Sequence, residues 1–237
     1  MKIFAIGDPH LSFDPRVEKP MDVFGGGWIG HTEKLYNDWL EKVKPEDIVI
    51  VAGDISWGLR QDEAEADLNW LHALPGKKLI FKGNHDLWWQ SVSKLRKLYD
   101  TDDMVFMQHS CFAADSENKL FICGTRGWIC PGTEGFGSHD RTIYEREVLR
   151  LEMSLDEAME NGAEKVICVL HYPPTNDSHQ SSGFTELMER YPVKRCVYGH
   201  IHGKDNFKRG ISGVFNGIEY KLVSLDYLQG KLYEIEM

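Results

Sequence analysis

Seven side chains able to bind a metal ion stand at five places in this sequence, each just past a short apolar run. They are Asp8 and His10, then Asp54, Asn84, His171, and finally His200 with His202. His85 and Asp86 follow Asn84 directly, so the stretch Gly83-Asn84-His85-Asp86 offers an amide, an imidazole and a carboxylate in succession. Singly, these are ordinary features. Asp-x-His arises often by chance, Gly-Asp is a common turn, and a lone histidine is usually a core or surface residue. Jointly, each at the exit of a strand-like run, they point to a metal centre. In open α/β sheets ligands bind in the crevice beyond the strand C-termini, so strands lying side by side would bring these groups to one place.

Two carboxylates, one amide oxygen and four imidazoles exceed what a single tetrahedral zinc can hold. If one carboxylate bridges, they divide into two four-ligand half-sites with positions left for water and substrate. Mixed nitrogen and oxygen donors without thiolate suit Mn, Fe, Zn or Co, whereas Mg and Ca prefer oxygen shells. Two divalent transition-metal ions are therefore the expected cofactors. Paired ions of this kind lie roughly 3.5–4 Å apart and clamp the attacking and leaving oxygens of an in-line displacement.

The elements that must position these groups can be read from hydropathy. Strands are expected over residues 2–6, 48–52, 79–81, 104–107, 120–123, 166–170 and 195–198, most of them unbroken apolar runs of buried type. Between them, Thr32 caps a helix carrying Leu35, Trp39 and Val43, and Asp62 caps a second through Leu68 and Leu71 to Pro75-Gly76. Further helices are expected over 88–99, 140–160 and 184–190. The longest places Ile143, Val148, Leu151 and Leu155 on one face and stops at Asn161-Gly162. Residues 11–31, rich in glycine and proline, read as a long loop, and a loop of that length in a compact domain is usually functional. Asn216-Gly217 marks a hairpin, because it supplies the positive φ angles of a type I′ turn. With runs at 222–225 and 231–235 it forms a small β region at the end. Alternating strands and helices followed by a β-rich finish predict a single α/β domain over residues 1–237.

Composition narrows the class. The 237 residues are 42% hydrophobic, ample for a sizeable core, yet no apolar run is long enough to span a membrane. The N-terminal run turns polar too soon for a signal-peptide core. Cys111, Cys123, Cys130, Cys168 and Cys196 form no Cys-x-x-Cys pair and read as reduced, small hydrophobes, so a cytoplasmic protein is expected. A net charge of −10 argues against nucleic acid and anionic membranes as partners. A phosphate-bearing substrate stays compatible, because bound cations reverse the local field.

In these motifs the sequence resembles the calcineurin-like metallophosphoesterases, whose signature is Asp-x-His, Gly-Asp, Gly-Asn-His-Asp/Glu, a lone His and Gly-His-x-His. Here they read Asp8-Pro9-His10, Gly53-Asp54, Gly83-Asn84-His85-Asp86, His171 and Gly199-His200-Ile201-His202, in order. The resemblance implies two packed mixed β-sheets flanked by helices, and hydrolysis of a small phosphodiester or phosphomonoester. It implies that Asp8, His10, Asp54 and His202 hold one metal and Asp54, Asn84, His171 and His200 the other. The nucleophile would be a metal-bridging hydroxide. Two divalent ions, two aspartates and that hydroxide leave the centre at about +1, able to draw phosphate and stabilise charge developing at phosphorus. His85, beside a ligand but not one in the family, is expected to protonate the leaving oxygen, with Asp86 orienting it or bracing the loop.

Departures from the signature are informative. Protein serine/threonine phosphatases carry Gly-Asp-x-x-Asp-Arg-Gly where this chain has Gly53-Asp54-Ile55-Ser56-Trp57-Gly58-Leu59. Trp57 and Gly58 take the aspartate and arginine positions, which argues against a protein phosphatase and leaves open what orients His85. Arg126, past a strand exit, is expected to grip phosphate. Trp57, Trp88 and Tyr172 each neighbour a metal motif and are expected to stack on substrate, while Trp28 and His31 could form part of a lid. A non-catalytic scaffold of the same fold is the alternative, but scaffolds typically lose ligands and this chain keeps all seven. A nuclease is disfavoured by the acidic balance.

Overall fold

A computed structural model describes all 237 residues. The chain forms two compact units, Met1–Phe106 with Val223–Met237, and Met107–Leu222. The strands, in chain order, are β1 (Ile3–Ile6), β2 (Ile48–Val51), β3 (Lys77–Phe81), β4 (Met104–Met107), β5 (Cys111–Asp115), β6 (Leu120–Thr125), β7 (Lys165–Leu170), β8 (Val193–Tyr198), β9 (Gly213–Phe215), β10 (Ile218–Leu222) and β11 (Tyr233–Glu234). The helices are α1 (His31–Lys42), α2 (Gln61–Ala73), α3 (Val92–Leu98), α4 (Ser138–Glu160) and α5 (Gly183–Arg190). Two mixed sheets flanked by five helices make this an α/β fold of the expected kind.

The first unit holds a five-stranded sheet in the order β11-β1-β2-β3-β4. The parallel register sets Ile6 beside Val51 and Val51 beside Ile80, so β1, β2 and β3 end abreast. Parallel neighbours need crossover connections, and α1 and α2 supply them between β1 and β2 and between β2 and β3. Phe4, Ile6, Val49, Val51 and Ile80 share one apolar core with Leu35 and Trp39 of α1 and Leu68 and Leu71 of α2. Buried Lys78 on β3 donates to the carbonyls of His72 and Leu74 at the end of α2 and pairs with Asp103 at 2.9 Å. A cation at a helix C-terminus meets carbonyls that lack an intrahelical partner.

The second unit holds a six-stranded sheet, β5-β6-β7-β8-β10-β9. Its parallel core is again aligned, with Thr125 beside Leu170 and Leu170 beside Tyr198. Asn216 (φ 49°) and Gly217 (φ 80°) make the tight turn between β9 and β10, as expected. The terminal segments are not one β region, however. The β9–β10 hairpin extends the second sheet, whereas β11 pairs antiparallel with β1 in the first.

Helix boundaries moved more than strands. Gly30 in the left-handed region precedes α1 and places Thr32 inside it, while Arg60 precedes α2 and leaves Asp62 in its first turn. The helix expected over 88–99 begins only at Val92, because Trp88 and Trp89 are buried in the turn before it. On α4 the buried face is Tyr144, Leu151, Leu155 and Ala158, with Ile143 and Val148 half-buried beside it. Strand β5 has no counterpart in the hydropathy reading, since it is a half-exposed edge. No helix is long and apolar enough to cross a membrane.

Candidate functional site

In the first unit the three aligned strand exits become three loops that hydrogen-bond to one another. The Asp8 N–H donates to Gly53 O (2.9 Å), His10 N–H to Asp54 O (3.0 Å) and Leu11 N–H to Ile55 O (2.8 Å), so a ladder continues past the ends of β1 and β2. Asp8, His10 and Asp54 are all buried, at 0%, 2% and 1% exposure. All three are left-handed, with φ of 58°, 46° and 52°. Asp and His tolerate that region better than most residues, yet it is sparsely populated and clusters where function over-determines the backbone.

The third loop carries Gly83-Asn84-His85-Asp86. The Asp86 carboxylate is fully buried and accepts from the backbone N–H groups of Gly83 (2.7 Å), Asp54 (2.9 Å) and Ile55 (2.8 Å) and from the Trp88 indole (3.0 Å). It thus clasps the loop after β2 to the loop after β3. Asp54 Oδ1 accepts in turn from the His85 N–H at 2.7 Å. A Cβ on Gly83 would lie 2.1 Å from that same Oδ1, so only glycine lets the carboxylate approach. The second Asp54 oxygen stands 3.8 Å from His10 Nε2, two donors spaced as neighbouring ligands rather than as a hydrogen bond.

Around this cluster the aromatic residues are sorted. Trp57 stacks on His10 (4.5 Å between centroids, 18° between planes) and lies 4.6 Å from the His85 ring. A half-buried indole therefore stands beside the histidine in the place where protein phosphatases carry a carboxylate. His85 itself is exposed. Trp88, expected to face substrate, is buried with its N–H spent on Asp86, so it supports the loop instead. Trp28 and His31 are no open lid: both are buried, Trp28 against His10, and His31 with ring nitrogens 3.2 Å from Trp28 O and 3.1 Å from Pro9 O. Burial pushes the His31 imidazole pKa down, favouring the neutral ring.

In the second unit His171 follows β7 and His200 follows β8, with ring centroids 5.2 Å apart. The His171 and Tyr172 N–H groups both donate to Arg126 O, and Gly199 N–H donates to His171 O. His171 is wholly buried, whereas His200, left-handed at φ 73°, and His202 are half-buried. Both line a cavity of about 410 Å³ with Cys130, Thr175 and Arg209. Tyr172, expected to stack on substrate, is buried between His200 (4.1 Å) and Trp128 (5.0 Å) and acts as packing for the histidine. The Arg126 guanidinium lies over Trp128, 4.7 Å from the ring centroid, and its Nε is buried without a hydrogen-bond partner. Desolvation lowers its pKa. His139 sits in the first turn of α4 and joins none of these groups.

Residues 1–204 match the family model of the calcineurin-like phosphoesterases, and the chain belongs to that family, a class of metal-dependent phosphoric ester hydrolases. A stretch of 77 residues is 38% identical to the Gene 66 protein of Mycobacterium phage D29, covering 30% of this chain and 38% of that protein. The match thus spans well under half of that relative's length. Among solved structures, phosphopantetheinyl hydrolase from Mycobacterium tuberculosis aligns over 99% of this chain and 95% of its own, with a TM-score of 0.57 and 17% identity, a likeness of fold. Family members use divalent metal ions, and the donors found here fit such ions: buried Asp8, His10 and Asp54 at the strand exits of the first unit, and buried His171 with half-buried His200 and His202 at those of the second, without thiolate.

One buried acid escaped the sequence reading. Asp67 on α2 accepts from the Phe13 N–H (2.7 Å) and from the Ser56 hydroxyl, tying the residue before Trp57 to the loop after β1. It sits in the helical pattern beside Leu68 and has no motif around it. Burial raises its carboxyl from the usual 3.8 to about 6. The folded protein then binds more protons than the unfolded chain between those values, so this group's contribution to stability falls as pH rises through that window. Asp67→Asn is expected to flatten the pH dependence of the melting temperature between pH ~4 and ~6. Parallel curves for variant and wild type across that window would contradict the assignment.

Proposed function

We propose that this protein is a dinuclear-metal phosphoesterase acting on a small phosphodiester or phosphomonoester, with residues 1–237 as its catalytic domain. Asp8, His10, Asp54 and His202 would hold one ion, and Asp54, Asn84, His171 and His200 the other. The observation that carries this reading is the alignment of strand ends, which sets buried Asp8, His10 and Asp54 past the strands of the first sheet and His171 and His200 past those of the second. Divalent ions there, drawn from Mn, Fe, Zn or Co, supply Lewis acidity toward phosphoryl oxygens and a water of lowered pKa.

The chain's own residues do the remaining work. Asp86 and Gly83 fix where the Asp54 carboxylate points. Asp86 is thereby a positioning residue, through the backbone of its own loop and the neighbouring one. Exposed His85, anchored by its backbone N–H and lying against Trp57, delivers a proton to the leaving oxygen. Trp57 restricts that ring by contact, where an acidic residue would do so by charge. Arg126, whose guanidinium lies over Trp128, is the candidate phosphate grip of the second unit. The retained donor set favours this reading over a non-catalytic scaffold, and the net charge of −10 favours it over a nuclease.

Protein loaded in turn with Mn, Co, Ni or Zn is expected to hydrolyse 4-nitrophenyl phosphate or bis(4-nitrophenyl) phosphate, with activity lost to a chelator and to Asp54→Asn. Inactivity toward both esters with every metal would overturn the proposal. His85→Asn should retain its metal content and lose ~10²–10⁴ in kcat, most for substrates whose leaving oxygen is a poor leaving group. Loss of metal in that variant would make His85 a ligand and remove it as the proton donor.

A further inference from the structure

Next to His85 the first unit contains a cavity of about 340 Å³ that the metal chemistry does not use. Its walls are the 16–19 segment of the long loop, Trp57, Leu59, Glu63, His85 and Leu87. Two of these are unusual for a surface: Leu59 is 63% exposed and Leu87 61%. Single exposed leucines are common, but here two of them border one cavity that an indole also lines. Leu87 follows the proposed proton donor by two residues, and Leu59 follows Trp57 by two.

The charges around the cavity are largely cancelled before any ligand arrives. The Arg16 guanidinium is held by Asp14 (2.7 Å) and Asp62 (2.8 Å). The Glu63 carboxylate accepts from the Leu59 N–H (2.8 Å) and pairs with Arg60 (3.0 Å). Lys19 has no carboxylate partner, and its ammonium lies over the Trp57 ring, 5.4 Å from the centroid. Glu18 is exposed at the rim. An exposed lysine over an indole is held weakly, so it can give way to a ring with a larger contact area. What remains is an apolar slot with an aromatic wall, opening beside the group that would protonate the leaving oxygen.

We infer that this cavity is the leaving-group site, and that the leaving group is a planar ring, aryl or nucleobase. The ring would sit between Leu59 and Leu87 against Trp57, with Lys19 displaced to the rim. The inference rests on the phosphoesterase reading for its chemistry and not for its geometry. Hydrolysis here breaks the bond from phosphorus to the oxygen of the departing phenol or nucleoside, adds water's oxygen to phosphorus, and passes a proton from His85 to the departing oxygen, His85 regaining the one that water loses.

Two measurements separate the site from the activity. In the first, the kcat/KM ratio of 4-nitrophenyl phosphate to ethyl phosphate is compared between wild type and the double variant Leu59→Ser/Leu87→Ser. Both positions are exposed, so the fold does not depend on them. The ratio is expected to fall ~10-fold, the scale on which hydrophobic pockets discriminate. In the second, metal-free protein is titrated with phenylphosphonate and with adenosine 5′-monophosphate, with saturation-transfer NMR reading which ring protons contact the protein. Signal from either ring that vanishes in the double variant supports the site and tells aryl from nucleobase. An unchanged ratio in an active enzyme, or ring signals that survive the double substitution, would overturn it. If no ester is cleaved while the NMR signal is still lost on substitution, the ring site stands and the phosphoesterase reading falls.

Discussion

A carboxylate with no exposure to solvent organises the first half of this site. Asp86 collects N–H donors from Gly83, Asp54 and Ile55, and from the Trp88 indole. A buried, ionised acid is costly unless its oxygens are satisfied, and this one is satisfied almost wholly by backbone. The loop after β2 therefore cannot move without the loop after β3. Remove the carboxyl group and the buried N–H groups lose their acceptor, Asp54 loses its anchor, and the left-handed backbone at Asp54 (φ 52°) loses what holds it there. The fourth residue of Gly-Asn-His-Asp is thus the one that shapes these loops, while Asn84 is half-buried and His85 exposed.

Left-handed backbone elsewhere in the site tells the same story. Asp8, His10 and His200 join Asp54 in the positive-φ region, each at the residue that turns a donor away from its strand. Strain of this kind costs on the order of 1–3 kcal/mol per residue and persists only where neighbouring contacts compel it. Here the compulsion is a ladder of hydrogen bonds running beyond β1 and β2, with Asp67 and Ser56 fastening its far end. Trp57 then completes the histidine environment by contact, lying flat on His10 and against His85. The same indole also furnishes one wall of the neighbouring cavity.

Much of this was legible in the sequence, for a physical reason. Short runs such as IVIV at β2 and VICVL within β7 can only be buried strands, and parallel strands of matched register must end together, so residues such as Asp54 and His171 had to emerge at sheet edges. Hairpin chemistry at Asn216-Gly217 was equally plain. Capping was not. Thr32 and Asp62 have the right chemistry for an N-cap, yet both helices start earlier, at a left-handed Gly30 and behind Arg60. Propensity is a weak prior when packing decides the first turn. Trp88 and Tyr172 show the complementary limit: an aromatic beside a motif can face substrate or support the ligand from behind, and only burial distinguishes the two. Lys19 and Leu59 gave no signal, since the loops that carry them have no period to read.

The proposed hydrolysis requires a pair of ions, which Asp8, His10, Asp54, Asn84, His171, His200 and His202 would hold. Diffraction from crystals of the manganese-loaded protein, measured at the metal absorption edge, tests it most directly. Two anomalous peaks roughly 3.5–4 Å apart are expected, one beside Asp8, His10 and His202, the other beside Asn84, His171 and His200, with Asp54 at both. No peak, or a lone ion held within one unit, would contradict the dinuclear centre and the hydrolytic role built on it.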